Sequence, residues 1–336
     1  MMLRTSRALL ATFWLMGLPA FATTEATVVE IAKKAALGSS EARIELERLA
    51  QAGETLAEHF MGHLHLSGKG APQSASQALD WFQRAAKKGH LESMHNLAVI
   101  YERNPDGLRD ERAALTWYRA AAEQGYARSQ ARLGELIATA AAGPAQRDEA
   151  RFWIEKSAAQ NEARGQYLLG MLKLDGAGVA LDVRGAARLL ELAAGGQDRD
   201  AQFEIALLYG TGHGVEKSYA KALDWLRQSA AQGQMKAQYY LASIYRRGLY
   251  GVKPEEKLAI DWLRKSALQG HANAEYALGL SYLEGRGVAR DATEALGWMR
   301  RAARHGHPEA IEFVRGVESQ LKPRAAPGLP AEGMAR

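Results

Sequence analysis

The sequence has 336 residues, 47% of them apolar and 24% charged, with a formal net charge of +5. That is enough chain for two ordinary domains or one long array, with apolar residues for a large core. It contains no cysteine, which excludes a disulfide framework, a thiolate metal site, a cysteine nucleophile and a lipid-modified N-terminal cysteine. No basic run supplies the footprint of a nucleic-acid groove.

The N-terminus reads as a targeting segment. MMLRTSR carries Arg4 and Arg7, ALLATFWLMGL (8–18) is apolar throughout, and PAFA places Ala20 and Ala22 in a small-x-small pattern. This is a secretory signal peptide over 1–22, cut after Ala22, and it predicts a periplasmic protein. The apolar run is about half of the ~20 residues that a spanning helix needs, and no later segment is longer. Two helical stretches follow in 23–56, VVEIAKKAAL and EARIELERLA, and are expected to cap what comes next.

From residue 57 the chain repeats itself. ALDWFQRAAKKG holds Trp81, and related stretches hold Trp117, Trp153, Trp225, Trp262 and Trp298 at a period of 36 or 37 residues. Leu189 fills the missing step, which makes seven copies over 57–306. Each copy reads as two helices. In SYAKALDWLRQSAAQG the apolar residues Tyr219, Ala222, Leu223, Leu226 and Ala230 recur at helical spacing. In the first helix, position six is small in every copy: Gly62, Ala98, Gly134, Gly170, Ala206, Ala242 and Gly279. Small residues there and the large Trp or Leu of the second helix are expected to be complementary parts of one packing scheme.

Between the helices lie glycine-rich stretches: SGKGAP, DGAGVA, GTGHGV, GLYGVK and EGRGVA. A unique GTGHGV (210–215) would suggest a phosphate cradle. A tandemly repeated one, with no P-loop lysine and Ser/Thr after it, is a tight turn. The third copy has ATAAAGPAQ instead, and the fourth has Lys173 where others carry an aromatic. Past the last copy, PEAIEFVRGVESQL (within 307–321) starts another first helix, but Arg315 takes its small position, so it should cap the array. Pro323, Pro327 and Pro330 mark 322–336 as a disordered tail.

The pattern A-x-Y-x-L-G-x-x-Y-x-x-G-x-G-V…A-x-x-W-x-x-x-A-A-x-x-G, best kept in 201–233 and 274–306, resembles the Sel-1-like repeat family, a relative of the tetratricopeptide repeat. The resemblance implies an all-α, right-handed α-solenoid of seven helix-turn-helix repeats with a concave and a convex face. It also implies a role in holding other proteins. Exported members resemble envelope-assembly scaffolds, virulence-related adaptors, and immunity proteins that neutralise lipase-type toxins delivered by type VI secretion. The cysteine-rich branch linked to β-lactam binding has no counterpart here.

Related solenoids line the concave groove with first-helix positions three, seven, ten and eleven. Carried over, these nominate Tyr167 and Met171, Phe203 and Leu207, Tyr239, Arg246 and Arg247, and Tyr276 and Leu280 as partner-binding residues. Aromatics and arginines are the usual anchors of protein interfaces. The competing reading is that the rings pack repeat on repeat; Leu207 and Leu280, expected to be exposed beside them, favour an apolar groove. His59 and His63 share a helix face, and His95 stands at the equivalent of His59 one copy later. Three imidazoles can ligate Zn²⁺, but HExxH is missing and no carboxylate stands at ligand spacing beyond Glu58 and Glu102. The histidines are therefore read as a polar groove lining, with no metal and no cofactor assigned.

No GxSxG, P-loop or paired-carboxylate site stands out, so no enzyme is expected. The expected function is a periplasmic binding protein that neutralises a protein partner, most concretely as an immunity protein against a type VI-secreted phospholipase-type effector. The alternative is a scaffold for cell-envelope or exopolysaccharide assembly.

Overall fold

The computed structural model describes residues 24–103, 107–140 and 143–321. The expected signal peptide and tail lie outside them. The described residues hold seventeen α-helices and no strand. The chain divides within α6 (Glu111–Glu123), between Trp117 and Tyr118, into two compact units.

The first unit holds α1 (Glu25–Ala36), α2 (Ser40–Gln51), α3 (Thr55–Ser67), α4 (Ala75–Lys87) and α5 (Leu91–Arg103). Side-chain oxygens start several of these helices: those of Thr24, Ser39 and Ser74 accept from the N–H groups of Thr27, Ala42 and Gln77. Each pairs a backbone donor that the first turn leaves free. Val28, Leu46 and Leu49 of α1 and α2 bury their side chains against Ala57, Met61 and Leu64 of α3. In α4 and α5, Phe82, Leu97 and Ile100 are fully buried.

The second unit continues through five helix pairs. They are α7 (Ala127–Ala140) with α8 (Pro144–Ala159), α9 (Ala163–Asp175) with α10 (Val183–Gly195), and α11 (Arg199–Thr211) with α12 (Tyr219–Ala231). Then come α13 (Met235–Arg247) with α14 (Glu256–Leu268) and α15 (Ala272–Glu284) with α16 (Ala292–Arg304). α17 (Pro308–Leu321) packs on α16, with Arg315 exposed.

The small residue at position six does face a large one, but that residue is not the tryptophan. A Cβ on Gly62 would lie 2.7 Å from the Phe82 ring, one on Gly134 2.7 Å from Ile154 and one on Gly279 3.1 Å from Met299. Each partner is the residue after the tryptophan. The rotation is simple: on α4, α8 and α16 the tryptophan lies about 100° round from the residue that points at the paired helix. It packs on the flank instead, with a cation three residues on over its ring: Arg84 on Trp81, Lys156 on Trp153, Lys265 on Trp262 and Arg301 on Trp298.

The glycine stretch is a turn. Gly212 ends α11 with φ +81°, which an L side chain rarely adopts. Gly214 has φ +76°, and a Cβ there would come within 2.8 Å of the Val183 carbonyl oxygen, at the start of the preceding copy's second helix. One glycine makes the turn and the other lets two repeats touch. In the third copy α7 runs on to Ala140, and Gly143 with Pro144 starts α8 directly. In the fourth, the lysine that replaces the aromatic pairs with Asp182 at 3.2 Å. Its counterparts Tyr209, Tyr245 and Tyr282 bond to Glu191, Arg227 and Arg264.

Candidate protein-binding site

The nominated residues of the last two copies meet in one depression of about 560 Å³, lined by α13, α15 and the start of α17, with Leu263 of α14. Tyr239, Arg246, Arg247, Tyr276 and Leu280 all contribute. Each ring lies on the histidine that precedes the next first helix. Tyr239 is 4.8 Å from His271, whose Nδ1 caps α15 by accepting from Ala274 N–H at 3.2 Å. Tyr276 stacks on His307 at 4.1 Å with 19° between planes. Arg246 Nη2 donates to Ser281 Oγ at 2.7 Å and so ties α13 to α15. Its Nε stands 3.6 Å from Glu256 Oε2, and neither of these buried atoms is hydrogen bonded. Arg247 is exposed at the edge.

Upstream, the column is closed by its own packing. Tyr167 is half-buried under the Arg164 guanidinium, 4.7 Å from its ring. Burial first, then the Asp200 carboxylate, pushes the Tyr167 phenol up to about 12. Arg164 bonds to Glu135 and, at 2.8 Å, to Asp200, with Asp198 at 3.4 Å. Burial is the largest influence on it and opposes its charge, but the three carboxylates outweigh it and raise its pKa. Phe203 requires correction. It is only 3% exposed, set in the core with its ring edge-on to Tyr240 at 5.3 Å, and offers no free surface. Leu207 and Leu280, expected to be exposed, are half-buried against the following helices, and Met171 packs in the same way. Tyr239 and Tyr276 thus reach the next copy through His271 and His307, while Tyr167 and Phe203 pack on Arg164 and Tyr240.

The histidines gather differently from the sequence expectation. His59 stands beside His63 (ring centroids 4.6 Å apart) and His90 (4.5 Å), and it is nearly buried. The carboxylate in reach is Glu92 on α5, and the possible ligand atoms of His59, His63 and Glu92 lie within 4.8 Å of one another. His95 is not in that group. Glu58 is buried and held by Arg84 at 3.0 Å and Lys88 at 2.8 Å. Burial, then the neighbouring His63 and His90, pushes His59 down to about 3; burial also lowers His63 and His90.

Sequence reasoning also passed over a set of buried polar residues. Gln130, Gln202 and Gln238 donate to the carbonyl oxygens of Ala122, Ala194 and Ala230, and accept from Gln160, Gln232 and Gln269. Ser157, Ser229 and Ser266 bond the carbonyls of Ala127, Arg199 and Met235. The signal was there: glutamine at position two, and serine four residues after the tryptophan.

The Sel1 repeat matches the chain seven times, at residues 55–90, 91–126, 127–162, 163–198, 199–234, 236–271 and 272–307. Among solved structures, the chain is similar to a Sel1 repeat protein from Oxalobacter formigenes: 26% identity, TM-score 0.59, 87% of this chain and 86% of that one. It is similar to c5321, a protective antigen of uropathogenic Escherichia coli strains with an SLR fold: 29% identity, TM-score 0.55, 88% and 68% of the two chains. It also matches the immunity protein Pa5087 of Pseudomonas aeruginosa at 22% identity and TM-score 0.43, over 57% and 73%. No curated protein matches the chain. No helix among the described residues is long and apolar enough to cross a membrane.

Proposed function

The chain belongs to the Sel1 repeat family, and on that premise we propose that it binds a folded protein partner in the groove between α13, α15 and α17 and blocks it by occlusion. The observation that carries this reading is the grouping of Tyr239, Tyr276, Leu280 and two arginines round one open depression. Aromatic and arginine side chains beside a partly desolvated pocket are the usual material of interface hot spots. Occlusion asks only shape and charge of the pocket and no chemistry from this chain. In the finer reading the partner is a secreted phospholipase-type toxin and the chain is its periplasmic immunity protein. What the family resemblance implies for exported members supports that choice.

The test uses the full chain in its own cell. A deletion strain is challenged with the toxin-producing parent and complemented with wild type, Arg247→Glu or Tyr276→Ala, each checked for helicity. The immunity reading expects killing of the deletion strain, rescue by wild type and loss of rescue with Arg247→Glu. Full survival of the deletion strain ends it. An envelope or polymer-export defect without any toxin would point to the scaffold role.

A further inference from the structure

The cluster on α3 and α5 poses a problem of proton placement. His90 caps α5, and the Ser93 N–H donates to its Nδ1 at 3.2 Å, so that nitrogen carries a lone pair. Ser93 Oγ lies 2.9 Å from the same Nδ1 and must direct its one proton there. The same Oγ is 2.9 Å from His59 Nδ1 and can only accept from it. His59 therefore carries its proton on Nδ1. That leaves Nε2 as the nitrogen turned toward Glu92, 3.7 Å from its carboxylate oxygen. At that distance no hydrogen bond joins the two. His63 Nε2 also carries a lone pair, which accepts from the Asn96 amide at 3.2 Å.

A cation resolves this arrangement. We infer that His59, His63 and Glu92 form a site for one divalent ion of the zinc type, joining the first repeat to the second. Two imidazoles and a carboxylate suit Zn²⁺ and disfavour Mg²⁺ or Ca²⁺, which take oxygen ligands. A tetrahedral ion with bonds of about 2.1 Å sets its ligands about 3.4 Å apart. His59 and Glu92 are nearly at that spacing, and the partly exposed side chains of His63 and Glu92 can close the rest. Ser93 fixes the tautomer and plane of His59, as second partners of metal-bound histidines do. Three protein ligands leave a fourth position for water, and the Asn96 amide would give up the His63 lone pair to the ion. His59 and His63 come from one helix face and Glu92 from the next first helix, so the ion would act as a staple between α3 and α5.

The experiment uses the full chain, free of any affinity tag and stripped with EDTA. ZnCl₂ is titrated by calorimetry, melting is followed with and without the ion, and Co²⁺ is added as a spectroscopic probe. The site predicts one ion per chain, a melting temperature raised by several degrees, and visible Co²⁺ absorption of tetrahedral intensity. His59 is buried, so a variant there can fail to fold. The decisive variants are therefore His63→Gln and Glu92→Gln, each expected to weaken Zn²⁺ at least tenfold with unchanged helicity. His213→Gln, in an exposed turn of another repeat, should bind as wild type does. No Zn²⁺ heat and no thermal shift in wild type would overturn the assignment, as would binding that survives both variants unchanged.

Discussion

Gln232 donates through Nε2 to Oε1 of Gln202 at 2.9 Å, and Gln202 donates onward to the Ala194 carbonyl at 3.1 Å. The second bond crosses from one repeat to the next, so a 2%-exposed side chain closes a helix end that the fold has buried. Leaving such a group without its partner costs about 1–3 kcal/mol. Gln202→Ala should therefore lower stability by about that amount, read as a shift in urea midpoint at unchanged slope. Gln232→Ala should cost less, because Gln232 is exposed and water replaces it.

The contact between Gly62 and Phe82 predicts a different behaviour. A Cβ at 62 meets three ring atoms at 2.7–2.9 Å. Gly62→Ala should cost about 1–3 kcal/mol by overpacking. Phe82→Leu alone should also cost stability, through the space it leaves. The double variant should be more stable than the sum of the two losses, because Ala206 with Leu226 already uses that pairing within one core. Urea midpoints of the four proteins measure the coupling; strict additivity would mean that the two side chains do not share the space.

How much of this was legible follows from what a repeat displays. The period, the turn glycines and the small position six recur along the chain, so each copy checks the others. Gln202 and Ser229 recur too, but a polar residue on a helical wheel reads as solvent-facing, and only the docking of two helices buries it. Size alone points to the large Trp or Leu for the tight contact, whereas the helix rotation gives it to the next residue. His59 and His63 were visible as an i, i+4 pair. Glu92 was not, since its approach depends on where α5 begins against α3, and no spacing within one helix encodes that. Phe203 failed for the converse reason: a position that is half-open at Tyr239 and Tyr276 is sealed one copy earlier by Tyr240.

His271 gives a pH dependence with a definite sign. Its Nδ1 lone pair caps α15, and burial chiefly, with Lys236 adding, lowers its pKa. Its folded pKa thus lies below the unfolded value of about 6.5. Between the two values only the unfolded chain binds the proton. The contribution is fully present above pH ~6.5 and is lost as pH falls toward the folded pKa, at no more than about 1.4 kcal/mol per pH unit. His59, His63 and His90 add to the same fall, so the comparison must isolate one ring. His271→Asn keeps a capping side chain and removes the titration. The gap in urea midpoint between wild type and this variant should move in the variant's favour between pH 7.5 and 5. A pH-independent gap would show that the ring does not titrate with folding.

Arg246 and Arg247 separate holding the fold from holding a partner. Arg246 bonds Ser281 across two first helices, with its Nε buried beside Glu256, so Arg246→Ala should lower stability as well as any binding. Arg247 is exposed and lines the same depression. An exposed substitution away from buried contacts moves stability by no more than about 0.5 kcal/mol. Arg247→Ala should therefore unfold as wild type does. If the groove seats the partner, it should still weaken the complex about tenfold, equivalent to about 1.4 kcal/mol. A charge at the edge of a groove also steers encounter, so much of the loss should be in the association rate and should shrink as salt is raised. Surface plasmon resonance with the purified partner at two ionic strengths measures both. Equal affinity for wild type and Arg247→Ala, with Tyr276→Ala also unaffected, would move the partner to another face of the repeats.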